Sequence, residues 1–447
     1  MTSLLIKAGR ILTMDAAHRV LEGGAILLSG PRIARVLDRD ALQRMGTIEA
    51  ETVDATTMTA VPGFVQTHVH LCQALFRGLA EDLDLLDWLA TRIFPLEAAH
   101  TASSIDISAR IGLAELVRSG TTTIMDMGSV HHQDVAVGAI ERAGIRAVVG
   151  KSMIDRNDLF GAFRESTSQA LRSTEVLLKR WHNAADGRIR YAVAPRFVLS
   201  CSDELLKDAH AMAREHEGVL FHTHASENPR ELEAVRARCG MDNVDYFARL
   251  GLLDERSCLA HCVRVSERER ALLAEHRAKV LHCPSANLKL GSGIADVVGF
   301  LGRGIGVSIG SDGAPCNNTM DMFREMRLAS LLQKPAHGAQ AMDARTVLTL
   351  ATRGGAEALG LAEEIGSLEE GKQADLVLLD LERAWNPVDQ RDPYAAIVHS
   401  ASPENVRAVM VAGTWLYREG VLLRDDEREI RRAARHELDA LLRRASV

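Results

Sequence analysis

The chain has 447 residues, 47 % hydrophobic and 25 % charged, with a formal net charge of −7. That length suits one large domain plus a smaller one. The acidic balance excludes a nucleic-acid or anionic-membrane partner, either of which needs a basic patch, and no uncharged apolar run reaches the ~18 residues of a membrane span.

In chain order, Met1–Asp15 is a short alternating stretch without the basic start and long apolar core of a signal peptide. The cysteines, at 72, 201, 239, 258, 262, 283 and 316, are odd in number and form no CxxC pair. Together these features predict a cytoplasmic chain with reduced thiols. Leu4–Thr13, Gly24–Leu28 and Ile33–Leu37 read as strands separated by turn residues, notably Ser29-Gly30-Pro31. From Pro62 to Ala362 short apolar runs alternate with helix-period segments. The runs include Thr122–Met127, Ile145–Val149, Ile189–Val193, Gly218–His222, Ser257–Ala260, Ala278–Leu281 and Ile305–Ile309. With the strand before His68 they make about eight units in roughly 300 residues, the span of a parallel (β/α)8 barrel. The dinucleotide fingerprint of a doubly wound open sheet is absent after the first strand. Asp375–Leu381, Val406–Val411 and Thr414–Arg418 return to the strand texture of the start. The predicted fold is therefore α/β, a TIM-like barrel over 61–365. A small β-sandwich is expected from both chain ends (1–60 and 366–424), followed by a charged surface helix over 425–447.

The chemistry-bearing residues sit where strands end. In Pro62-Gly63-Phe64-Val65-Gln66-Thr67-His68-Val69-His70, the two histidines lie at i and i+2 and point to one side of a strand. Four later strands end in Phe221-His222-Thr223-His224-Ala225-Ser226-Glu227, Ala260-His261-Cys262, Leu281-His282-Cys283-Pro284 and Ile309-Gly310-Ser311-Asp312. A barrel gathers such ends at its C-terminal face. So many buried imidazoles and carboxylates are costly unless they share hydrogen bonds or a cation. Three neutral nitrogens and one carboxylate make a zinc shell with room for water.

These segments resemble the amidohydrolase superfamily. Within it the resemblance is to the branch of S-adenosylhomocysteine/5′-methylthioadenosine deaminases, guanine deaminases and chlorotriazine hydrolases. It runs from Leu5 to about Leu422, and includes Arg77–Leu83, Asn287-Leu288-Lys289, Glu325–Ala329 and Gly366–Asp375. The resemblance implies His68, His70, His224 and Asp312 as ligands of one divalent metal, zinc first, with iron or manganese as alternatives. Two-metal relatives use a modified lysine at the end of the fourth strand. Here that strand ends Ala194-Pro195-Arg196, and a guanidinium cannot replace it. The resemblance also implies Glu227 as proton shuttle, His261 as a second acid–base group and Asp312 as its companion in orienting water. His282 is left with the bracing of a ligand.

The implied reaction is hydrolytic release of ammonia from an amino-substituted purine-type ring, with an adenosine derivative as the favoured small-molecule substrate. A homo-oligomer is expected. Glu97 matches the carboxylate that holds ribose hydroxyls in adenosine-type relatives, and Trp88 is placed to cover the ring. Lys151 stands where some of those relatives have arginine. Arg196 and Gln73 resemble the guanine-type pair that reads an oxo-substituted ring. The substrate cues therefore conflict. A guanine-type deaminase, a triazine hydrolase and an inactive scaffold barrel remain as rival readings.

Overall fold

A computed structural model of the chain describes residues 3–46, 48–383 and 391–446. Residues 1–2, 47, 384–390 and 447, which belong to the expected β domain and terminal helix, lie outside the described residues. The strands are β1 (Ser3–Leu12), β2 (Val20–Glu22), β3 (Ala25–Ser29), β4 (Arg32–Leu37), β5 (Glu51–Pro62), β6 (Phe64–Val69), β7 (Thr121–Met127), β8 (Arg146–Gly150), β9 (Ser152–Met153), β10 (Ile189–Pro195), β11 (Leu220–Ala225), β12 (Ser257–His261), β13 (Lys279–His282), β14 (Val307–Ile309), β15 (Leu376–Leu379), β16 (Val406–Val411), β17 (Thr414–Arg418) and β18 (Val421–Leu422).

Eight of them, β6, β7, β8, β10, β11, β12, β13 and β14, pair in parallel in that order, with β9 adding to β10. Their residues are almost all buried, as expected of strands covered on both faces, which read as apolar runs. The ring closes from β14 to β6. Asp312 N donates to His68 O at 2.9 Å, and Val69 pairs with Asp312. Helices lie between the strands. Several start at capping boxes, including Thr101/Ser104 before Ala102–Arg118 and Ser266/Glu269 before Glu267–Glu275. The predicted α/β barrel is the observed one.

The chain ends build a second, mixed sheet in the order β18-β17-β16-β15-β5-β1-β3-β4, with β2 on β1. It gathers one apolar cluster from both ends, including Ile6, Ile26, Val53, Leu376 and Met410. Sequence reading did not place β5 among the strands. Its first half carries Glu51, Asp54, Thr56 and Thr57 facing solvent, which hides the apolar alternation. The two sheets join covalently, since only Gly63 separates β5 from β6. A side chain there would strike Thr122, whose Oγ1 lies 2.0 Å from a built Cβ. They also join by a buried ion pair, Arg146 Nε to Asp375 Oδ2 at 2.8 Å. The terminal helix Glu427–Ala445 is more than surface. It buries Ile430, Ala434 and Leu441 in a cluster shared with Trp88, Phe94 and Phe197. No helix among the described residues is long and apolar enough to cross a membrane.

Candidate active site

The strand-end residues converge as the HxH spacing predicts. His68 is on β6 and His70 directly follows it, His224 is on β11, His261 ends β12, and Asp312 follows β14. All are 5 % exposed or less except His224, which is partly buried. His261 (φ 74°) and Asp312 (φ 63°) adopt positive φ. Such backbone costs on the order of 1 kcal/mol per residue and concentrates at functional sites.

Each imidazole is held from behind. His70 Nδ1 donates to Met127 O at 2.7 Å, and His224 Nδ1 donates to Arg196 O at 2.7 Å. A carbonyl only accepts, so both rings carry their proton on Nδ1 and turn an Nε2 lone pair inward. Those two lone pairs face each other at 3.3 Å. Two acceptors at that distance repel unless a cation lies between them. His68 Nε2 has no hydrogen-bond partner and lies 3.4 Å from Asp312 Oδ1, as does His70 Nε2. Donor atoms of His68, His70 and Asp312, and those of His68, His224 and His261, lie within 4.8 Å of one another. Burial keeps the pKa values of His68, His70 and His224 below the ordinary histidine value. Burial opposes the charge of Asp312, but the hydrogen bond and charge of His68, with His261 and His70 beside it, hold its pKa well below the carboxylate range. Neutral nitrogens, one carboxylate and inward lone pairs without donors fit one divalent cation. The fourth barrel strand ends at Pro195, and Arg196, which follows it, supplies no bridging ligand.

Glu227 stands between β11 and the helix Pro229–Cys239. Glu231 fixes it there by accepting the backbone N–H groups of Glu227 (2.7 Å) and Asn228 (3.3 Å). Its own Oε1 has no partner, and Oε2 lies 3.4 Å from His261 Nε2. Burial, then the charges of Asp312 and Glu231, push its carboxyl pKa well above the usual value. His261 is oriented by Asn287, whose Oδ1 meets Nδ1 at 2.8 Å, and its Nε2 lies 3.9 Å from Asp312 Oδ2.

Sequence reasoning missed His222, whose Nε2 lies 2.9 Å from His68 Nδ1. Its signal was present, because His222 and His224 repeat on β11 the i, i+2 spacing of His68 and His70. Asn287 lay in a segment that carried the resemblance but was given no role, and Glu231 carried no signal of its own. His282 is buried with neither ring nitrogen partnered, and burial pulls its pKa down to about 3. It braces none of these side chains by a hydrogen bond.

A small cavity, about 20 Å³, opens onto these groups, lined also by Gln73, Leu85, Trp88, Leu89, Arg196, Phe197 and Leu290. Trp88 Nε1 is buried without a partner. Glu97 does not line the cavity, because it pairs with Arg196 through Nη1–Oε2 at 2.9 Å and Nη2–Oε1 at 3.1 Å. Lys151 is not brought to the site. It is buried against Glu165, beside His131 in a separate cavity. A larger groove beside the terminal helix, with Arg118, Arg324, Arg431 and Glu427 in its walls, holds no comparable convergence.

Residues 59–416 match the family model described as the amidohydrolase family. The chain is 39 % identical over 422 residues to a 5′-deoxyadenosine deaminase of Methanothermobacter thermautotrophicus, covering 94 % of each chain. It is 37 % identical over 431 residues to a 5-methylthioadenosine/S-adenosylhomocysteine deaminase of Bacillus cereus, covering 95 % of this chain and 97 % of the other. Among solved structures, an adenosine deaminase from Xanthomonas campestris with bound zinc superposes with a TM-score of 0.92 at 32 % identity, covering 98 % of both chains. Barrel, strand-end imidazoles and near full-length similarity agree, and the chain belongs to the amidohydrolase family.

Proposed function

We propose that the protein is a metal-dependent hydrolytic deaminase of an amino-substituted purine-type heterocycle, with an adenosine derivative as substrate: 5′-deoxyadenosine, 5′-methylthioadenosine or S-adenosylhomocysteine. The observation that carries this reading is the set of inward imidazole lone pairs with the Glu227 carboxyl and His261 Nε2 beside them. The deaminase names of the relatives support it. His68, His70, His224 and Asp312 would hold the cation, and zinc is the metal of the Xanthomonas protein. When bound, such an ion supplies Lewis acidity and lowers the pKa of water from 15.7 towards about 7.

The chain's own groups then manage protons and position. Glu227, with its raised pKa, takes a proton from the attacking water and gives it to the ring nitrogen, then takes the second proton from the new hydroxyl group and passes it to the departing amine. Asp312 and His261 orient the water against the ring carbon that bears the amine. His261 is also placed to meet negative charge as that carbon becomes tetrahedral. Trp88, Leu85 and Leu89 wall the ring and exclude bulk water. Water and the amine are consumed, and the oxo product and ammonia leave.

Metal-loaded protein should release one ammonia per 5′-deoxyadenosine or 5′-methylthioadenosine consumed. No ammonia from any adenosine derivative, with ammonia from guanine, would transfer the reading to an oxo-purine base. That second reading is favoured by Arg196 and Gln73 in the cavity wall. The cytoplasmic location and homo-oligomeric state expected from the sequence belong to the same proposal. Free and mostly buried cysteines support the first, and sedimentation tests the second.

A further inference from the structure

Glu325 is a fully buried carboxylate on the helix Met322–Leu331, in a segment that carries the family resemblance, and no step of the proposed reaction uses it. Three uncharged donors meet it. Oε2 accepts Ser285 N at 3.1 Å, and Oε1 accepts Ser285 Oγ and Asn317 Nδ2, the latter at 2.8 Å. The two donor residues come from different strand ends. Ser285 lies in the helix Pro284–Lys289, which follows β13 and carries Asn287, the residue that orients His261. Asn317 ends the helix Ala314–Asn317, which follows β14 and Asp312. Its Nδ2 also donates at 2.7 Å to Ser311 O, the carbonyl of the peptide bond that enters Asp312, while its Oδ1 accepts from Thr319 Oγ1 at 3.0 Å. Asp312 needs such support, because its φ of 63° is backbone that persists only where the surroundings over-determine it.

A buried carboxylate that meets no cation is costly. Burial pushes the Glu325 pKa up to about 7, against the pull of its hydrogen bonds, and the charge of Asp321 adds to the rise. A glutamine would avoid that cost but has one accepting oxygen, so its NH2 would face a donor on one side or the other. A carboxylate can accept from both segments at once. We propose that Glu325 is a positioning residue whose carboxylate ties the segment that braces His261 to the segment that presents Asp312. It thereby fixes the two side chains that face each other across the site. One arm runs from Glu325 through Ser285 and its helix to Asn287 and His261. The other runs through Asn317 and the Ser311 carbonyl to Asp312. The part these two play in turnover rests on the deaminase reading, whereas the hold on Asp312 also governs metal retention.

Glu325→Gln, Asn317→Ala and Ser285→Ala separate the two arms in the full-length protein, assayed above the Glu325 pKa so that the carboxylate is ionised. Metal retention is read by chelator competition and by the visible spectrum of cobalt-loaded protein, and turnover by ammonia release from 5′-deoxyadenosine. Glu325→Gln should weaken metal retention and lower kcat, each by about ten- to a hundred-fold, with KM within about two-fold, the usual result of losing a group that orients a ligand. Asn317→Ala cuts the Asp312 arm and should reproduce the metal loss with a shifted cobalt spectrum. Ser285→Ala removes one hydrogen bond of the His261 arm and should lower kcat by about two- to ten-fold, with metal retention and cobalt spectrum unchanged. Arg324→Ala, an exposed neighbour on the same helix, should change neither. If Glu325→Gln fails to fold, the two alanine variants carry the test through the same split. A Glu325→Gln protein with wild-type kcat and metal retention, or with losses that merely follow its unfolded fraction in urea, would overturn the inference. So would an Asn317→Ala protein that holds metal as the wild type does, or equal losses in Arg324→Ala. The expected pattern of metal loss in a protein whose wild type releases no ammonia from any adenosine derivative would overturn the deaminase reading and leave the clamp standing.

Discussion

At the scale of single residues, the site separates groups that move protons from groups that hold others still. Under the proposed function, Glu227 belongs to the first kind. Glu227→Gln keeps the size and the backbone anchoring by Glu231 but cannot carry a proton. General acid–base groups are typically worth about 10²–10⁴-fold, so kcat should fall at least that far with metal content unchanged, and near-normal turnover would place the proton elsewhere. His222 belongs to the second kind. Its contact with His68 Nδ1 fixes the ring whose Nε2 faces Asp312. His222→Leu should weaken metal retention by about ten- to a hundred-fold in a chelator competition, the usual cost of losing a group that orients a ligand. The strand-end histidines and Asp312 were legible in the sequence because period two and barrel topology together determine where they point. The Glu97–Arg196 pair was not. Its members lie 99 residues apart, and no periodicity encodes a contact across a barrel mouth. Lys151 shows the same limit, since it follows β8 but its side chain leaves the mouth for Glu165.

At the scale of elements, the closure between β14 and β6 matters most, because it brings Asp312 beside His68. Gly310 makes that approach possible. A Cβ there would lie 2.7 Å from both His68 N and His68 O, which are backbone atoms that cannot swing aside. Gly310→Ala should therefore wedge the first and last barrel strands apart. It should lower stability by about 1–3 kcal/mol and shed metal on dialysis. Gly302→Ala, where nothing lies within 4 Å, is the control and should do neither. The barrel strands were readable as apolar runs because both of their faces are covered. The failure at β5 follows from the same physics, because a strand half in water and rich in threonine and acids resembles a loop. The terminal helix was readable as a helix but not as a packing element. Its charge is distributed around a narrow apolar stripe, and the partner of that stripe lies over 300 residues earlier.

At the scale of the whole molecule, the two sheets behave as one body because charge as well as apolar surface crosses between them. Arg146 on β8 and Asp375 before β15 are both nearly inaccessible, and Asp375 Oδ1 also accepts Ala412 N at 2.7 Å. Arg146→Met leaves that carboxylate buried without its cation. It should lower the free energy of unfolding in urea by about 3–5 kcal/mol, with Arg146→Met/Asp375→Leu recovering part of the loss. The covalent link has a mechanical result. β5 and β6 run as one rod from the second sheet to the metal-binding face, interrupted only at Gly63, where Phe64 N already donates to Gly120 O at 3.0 Å. Rotating one sheet against the other would drag His68 and His70 off their partners, so a hinge between sheets is incompatible with an assembled centre. The mouth of the cavity is walled by the short segment carrying Leu85, Trp88 and Leu89. Its outer edge meets the helix after Glu227 through the exposed contacts of Arg230 with Asp84 and Asp87. The molecule is thus a rigid vessel, in which the second sheet and the metal-binding face keep one fixed relation through the β5–β6 rod.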